Sequence, residues 1–178
     1  MRKVILNKCF GGYVLSPLFI AEYLDRIGAP NVTFHKTVYA DDGERYEIPI
    51  TRDQFVEGSG FRFHACVNGE WFYQDDRTDP VAIAILEELG SEACSGYAAK
   101  LEIEEYDETK YAARIDEHDG KESLSLILLL TPDMIRACKS TDEIIDLLAK
   151  INAFVMPERD CFTKEENGNT ETYTTRLM

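Results

Sequence analysis

"KVILNKCFGGYVLSPLF", residues Lys3–Phe19, decides how the chain begins to fold. Lys3–Asn7 has the apolar, β-branched character of a buried strand. Gly11 and Gly12 break that run. Ser16 followed by Pro17 then reads as a helix N-cap and first helical position. The serine oxygen accepts from an unpaired backbone N–H, and proline has no N–H to leave unpaired there. Ile20, Tyr23, Leu24 and Ile27 follow at helical spacing, and Gly28 supplies a left-handed stop. The stretch therefore predicts strand, loop, helix.

The loop also raises the functional question. Backbone N–H groups around Gly11 and Gly12, leading into the helix that Ser16 caps, could cradle a phosphate or carboxylate, with Lys8 adding positive charge. The expected contact residues are Lys8, Cys9, Gly11, Gly12, Tyr13 and Ser16. The glycine spacing is neither G-x-G-x-x-G nor G-x-x-x-x-G-K-[ST], so it does not specify a nucleotide loop. The competing reading is a tight corner, which two glycines let the chain turn without steric strain. Cys9 suggests different chemistry: a thiol near a helix N-terminus and Lys8 can serve as a nucleophile. It needs a base, for which His35 or His64 is available, although no spacing ties either to Cys9.

Further along, Val32–Val38 and Tyr46–Ile50 read as short strands around the turn "ADDGE" (Ala40–Glu44). "FRFHACVNGEWFYQ" (Phe61–Gln74) alternates Phe61, Phe63, Ala65 and Val67, turns at Asn68–Gly69, and returns through Trp71 and Tyr73 as a hairpin. His64 and Cys66 share one face of that strand. Asp79 and Pro80 open a second helix with Ala82, Ile85, Leu86 and Leu89 inward, ended by Gly90. Leu101 and Ile103 alternate with acids in a half-exposed strand. Tyr111–Leu130 reads as another hairpin turning at Asp119–Gly120. Thr131-Pro132 repeats the cap-and-proline device, and Ser140 with Glu143 forms a capping box for a helix to about Asn152. From Pro157 the chain is polar and poorly patterned, a mobile tail or late edge strand. The fold class expected is α+β: a mixed or antiparallel sheet built from hairpins, with two to four helices packed on it. Residues 1–122 form the core domain, 123–156 a strand and helical extension packed on it, and 157–178 a polar tail.

Composition narrows the function classes. The chain has 178 residues and a net charge of −14, from 33 acidic against 19 basic side chains. A field of that sign repels nucleic-acid phosphates and anionic membranes and steers the protein toward basic partners. Phe61, Phe63, Trp71, Phe72 and Tyr73 lack interleaved basic residues and read as core and cross-strand packing rather than a base-stacking platform. Direct nucleic-acid binding is not expected. The cysteines (Cys9, Cys66, Cys94, Cys138, Cys161) contain no C-x-x-C pair, which gives no zinc knuckle or thioredoxin-type motif. The acidic groups Asp75, Asp76, Asp79 and Asp116–Asp119 match no calcium loop and read as solvated turns. No metal and no cofactor are expected. The apolar run in "MRKVILNKCF" is too short for a signal peptide and Leu126–Leu130 too short for a bilayer span, so a reduced, cytoplasmic protein is expected.

"NKCFGGYVLS" (Asn7–Ser16) resembles the opening of a group of small uncharacterised proteins from bacteriophage and bacterial genomes. "DPVAIAILEELGSEACSGYAAKLEIEEYDE" (Asp79–Glu108) and "ARIDEHDGKE" (Ala113–Glu122) are similar to later segments of the same group, in the same order. Together they span most of Met1–Glu122. Val32–Gln74 matches only loosely, and everything after Ser123 is an extension. The resemblance implies phage or prophage origin and carries over no catalytic residue. It suggests a non-enzymatic accessory protein that binds a host or defence protein, or a small anionic ligand at Gly11–Gly12. A cysteine-dependent hydrolase or transferase using Cys9 is the alternative, and a virion structural or assembly component a second.

Overall fold

The computed structural model describes residues 1–58, 62–155, 163–166 and 169–172. In chain order its elements are β1 (Arg2–Asn7), α1 (Pro17–Arg26), β2 (Val32–Tyr39), β3 (Arg45–Ile50), α2 (Arg52–Val56), β4 (Phe63–Val67), β5 (Glu70–Trp71), α3 (Pro80–Leu89), α4 (Ser91–Cys94), β6 (Leu101–Tyr106), β7 (Tyr111–His118), β8 (Lys121–Leu128), α5 (Pro132–Ala137), α6 (Thr141–Val155), β9 (Thr163–Glu166) and β10 (Asn169–Thr172). Every strand pairing among them is antiparallel, and the fold class is α+β. The chain divides into two compact units, Met1–Leu126 and Ile127–Met178.

In the first unit β1 pairs with β6, in register from Arg2 opposite Tyr106 to Asn7 opposite Leu101. Because side chains alternate across a strand, this ribbon has two apolar faces. Ile5, Leu101 and Ile103 pack with Phe19, Tyr23, Ala82, Ile85 and Leu86 of α1 and α3. Val4, Leu6 and Tyr106 pack on the other side with Ala113, Ile115, Leu124 and Leu126 of the β7–β8 hairpin. A second sheet, in the order β3-β2-β4-β5, lays Phe34, Ile50, Phe63 and Ala65 against α1 and Phe55 of α2. Helix α1 thus contributes to two cores.

The local signals explain the elements. Ser16 Oγ accepts from Phe19 N at 3.1 Å, and Asp79 Oδ1 accepts from Val81 N at 2.7 Å and Ala82 N at 3.0 Å. Asn68-Gly69 and Asp119-Gly120 both take positive φ, which a two-residue hairpin turn of this hand requires. The inward stripe of α1 differs from the expected one: Phe19, Ala21, Tyr23 and Leu24 are buried, and Ile27 is exposed. The helix sits between two cores, which rotates its buried face toward Phe19. Helix α2 was not expected, yet Thr51 and Gln54 form a reciprocal capping box before it.

In the second unit, Thr131 Oγ1 accepts from Met134 N at the start of α5. Ser140 Oγ accepts from Glu143 N at 3.2 Å, and the Glu143 carboxylate reaches Lys139 N rather than that of Ser140. β9 and β10 pair with each other. The remainder of the polar tail, residues 157–162, 167–168 and 173–178, lies outside the described residues, as do Phe61 and Cys161.

Candidate functional site

The loop from Lys8 to Ser16 leaves β1 and crosses two other turns, and Asn7 is the residue that ties all three. Fully buried, Asn7 donates through Nδ2 to the carbonyls of Cys9 (2.5 Å) and Gly120 (2.6 Å) and accepts at Oδ1 from Lys100 N (2.8 Å). Its own N–H donates to Glu122 Oε2 at 2.7 Å. Glu122 is 4% exposed, and its other oxygen accepts from Arg77 Nη2 at 2.7 Å. Arg77 in turn lies over the ring of Tyr13. A carboxylate supplied by the protein itself therefore already stands beneath the loop, with a guanidinium and a backbone amide to neutralise it.

This network shows where each expected contact residue stands. Lys8 Nζ is paired with Glu104, and its N–H donates to Lys100 O at 2.7 Å. Tyr13 turns inward: its hydroxyl is buried without a hydrogen-bond partner among the described residues, and burial pushes its pKa up against the opposing pull of Arg77. Ser16 caps α1, donates through Oγ to Ala93 O at 2.6 Å, and its N–H donates to Cys94 O at 2.9 Å. At Gly11 a Cβ would fall 1.8 Å from Ala98 O, and Gly12 has φ +80°. Gly120 is confined too, though less tightly: a Cβ there would fall 2.6 Å from Gly12 N and Phe10 O. Cys9 is half-buried, and its N–H points to Asn7 Oδ1 at 3.3 Å.

The loop's outer surface is apolar. Phe10 is 66% exposed and Val14 37%, and Tyr97, on the neighbouring turn that Gly11 and Gly96 allow to approach, is 69% exposed. Lys121 Nζ sits 5.9 Å above the Phe10 ring, and a hollow of about 190 Å³ lies beside it, lined by Phe10, His118, Lys121, Glu122 and Ser123. Among the described residues no acceptor meets the amides of Phe10 or Gly11. Sequence reading missed Asn7, Arg77, Glu122 and Phe10. The signal for Glu122 was present, since it alternates with Leu124 and Leu126 and so falls on the inward face of β8.

His35 and His64 are not brought to Cys9. They face each other across β2 and β4 on the second sheet, and His64 is stacked between His35 and Trp71, with a Glu47 carboxylate oxygen 3.4 Å from its Nε2. Burial outweighs Glu47 and pushes the His64 imidazole below its usual range. The thiols themselves sort by depth. Cys94 is fully buried and its pKa is pushed up to about 11, while burial also raises that of Cys66. At pH 8 only about one part in a thousand of Cys94 is the reactive thiolate. Iodoacetamide at that pH is therefore expected to modify half-buried Cys9 and Cys138 ahead of buried Cys66 and Cys94, and Cys94 only after unfolding, read by peptide mass mapping. Equal labelling of Cys94 and Cys9 in the folded protein would contradict the burial described.

The chain matches no family model, no curated protein and no solved structure. No helix among the described residues is long and apolar enough to cross a membrane.

Proposed function

We propose that this is a non-enzymatic binding protein whose recognition element is the paired loops carrying Phe10, Val14 and Tyr97. The observation that carries the reading is the exposure of those three side chains on loops braced from within by Asn7, Glu122 and close glycine contacts. Large apolar side chains held out on a firm frame lose little conformational freedom on docking, and protein interfaces concentrate their energy in such anchors. The net charge of −14 favours a partner with a basic surface. The resemblance of residues 1–122 to phage proteins supports a host or defence protein as that partner, met in the host cytoplasm.

A small anionic ligand is the second reading, supported by the open amides of Phe10 and Gly11 beside Lys121. The two separate experimentally. Phe10→Asp combined with Tyr97→Asp is expected to leave the thermal midpoint unchanged and to abolish capture of a basic host protein from lysate. Retention of every partner by the double variant would defeat the protein-docking reading. Amide shifts confined to Phe10–Gly12 on adding inorganic phosphate would favour the anion instead.

A further inference from the structure

The outward face of the second sheet carries a different cluster. Antiparallel register sets His35 directly opposite His64 and opposite Pro49, so Glu47, two residues before Pro49, shares their face. One ring nitrogen of each histidine and one oxygen of Glu47 all lie within 4.8 Å of one another. His64 is 9% exposed, roofed by the Trp71 indole at 4.3 Å between centroids and 19° between planes, with His35 at 5.4 Å on its other side. Its Nε2 is buried, turned toward Glu47 Oε2 at 3.4 Å, and makes no hydrogen bond among the described residues. A buried polar atom without a hydrogen-bond partner is unfavourable, so the arrangement is incomplete as it stands.

We infer that His35, Glu47 and His64 form a site for one divalent transition-metal ion of the zinc type. Two imidazoles and one carboxylate are a ligand set suited to zinc, with the fourth position left to water or another donor. The supporting groups are in place. Arg45 Nη2 donates to Glu47 Oε1 at 2.8 Å, which leaves Oε2 toward the histidines, and Thr33 Oγ1 lies 3.0 Å from His35 Nε2 and holds that ring. The three ligand atoms lie within 4.8 Å of one another on hydrogen-bonded neighbouring strands, so metal–ligand bonds of about 2.0–2.2 Å call for side-chain adjustment and no change of register. The ion completes the coordination of His64 Nε2 and adds positive charge to a strongly acidic chain.

Trp71 is the chain's single tryptophan and stacks on a proposed ligand, so its fluorescence reports the site. The full chain, stripped with chelator, is titrated with zinc while Trp71 emission and heat are recorded. Saturation at one ion per chain is expected, with no response to magnesium, which prefers an all-oxygen shell. Cobalt is expected to give visible d–d absorption without a thiolate charge-transfer band. Glu47→Gln and His35→Ala are each expected to weaken zinc binding by about tenfold or more. The apo thermal midpoints show whether each variant folds. Should His35→Ala fail to fold, the near-isosteric Glu47→Gln carries the test alone. Zinc affinity unchanged in Glu47→Gln, no saturable binding, or a thiolate band from cysteine ligation would overturn the inference. Partner capture through Phe10 is independent of every one of these outcomes.

Discussion

Glu122→Ala is expected to lower the unfolding free energy by about 3–5 kcal/mol, the range for removing one member of a buried ion pair. The substitution takes away the acceptor for Asn7 N–H and the counter-charge for Arg77, both bonded at 2.7 Å. Arg77 Nη1 already lacks a partner among the described residues, so its guanidinium would be left with the Tyr13 ring and little else. Against a total stability of about 5–15 kcal/mol for a domain, that loss is large. Glu122→Gln keeps an acceptor for the Asn7 amide and loses only the charge, and is expected to cost distinctly less. Denaturant midpoints for the two variants measure the difference. A Glu122→Ala unfolding free energy within about 1 kcal/mol of the native value would show that the carboxylate does not brace the loop.

Gly11→Val is expected to cost about 3 kcal/mol or more, at or beyond the upper end for overpacking, because the obstacle is main chain. A Cβ at this position meets Ala98 O at 1.8 Å, and no rotamer change can move a carbonyl oxygen. The loop must separate from the Gly96–Ala98 turn, carrying Phe10 away from Tyr97. Loss of binding by this variant therefore reports a displaced frame, whereas Phe10→Asp alters the recognition surface alone. Gly11→Val with a native denaturant midpoint would mean that the two turns are not in contact. Native-state hydrogen exchange at Phe10–Tyr13 provides an independent check, with faster exchange expected in the variant.

Most of the local architecture was legible because its signals are local. Ser16-Pro17, Asp79-Pro80 and Thr131-Pro132 each start a helix, and Asn68-Gly69 and Asp119-Gly120 each turn a hairpin. The site was only partly legible. Lys8, Tyr13 and Ser16 have the chemistry of ligand contacts, yet each bonds or packs within the fold, through partners at Glu104, Arg77 and Ala93 that no short-range pattern connects to them. Asn7 follows an apolar strand and looks like its polar end, but its partners Lys100 and Gly120 are distant in sequence. The meeting of His35, Glu47 and His64 depends on the register of three strands. The alternation that put His64 beside Cys66 could not supply that register.

The β1–β6 ribbon has a consequence for how the protein is made. Within the first unit Arg2–Asn7 is synthesised ahead of every other element, yet its only strand partner among the described residues is Leu101–Tyr106. Val4, Ile5 and Leu6 must stay unpaired while nearly the whole first unit is translated. Closure of the two apolar cores they join is therefore a late step in the synthesis of that unit, and until then a short sticky strand is open to chaperones or to the same strand of a neighbouring nascent chain.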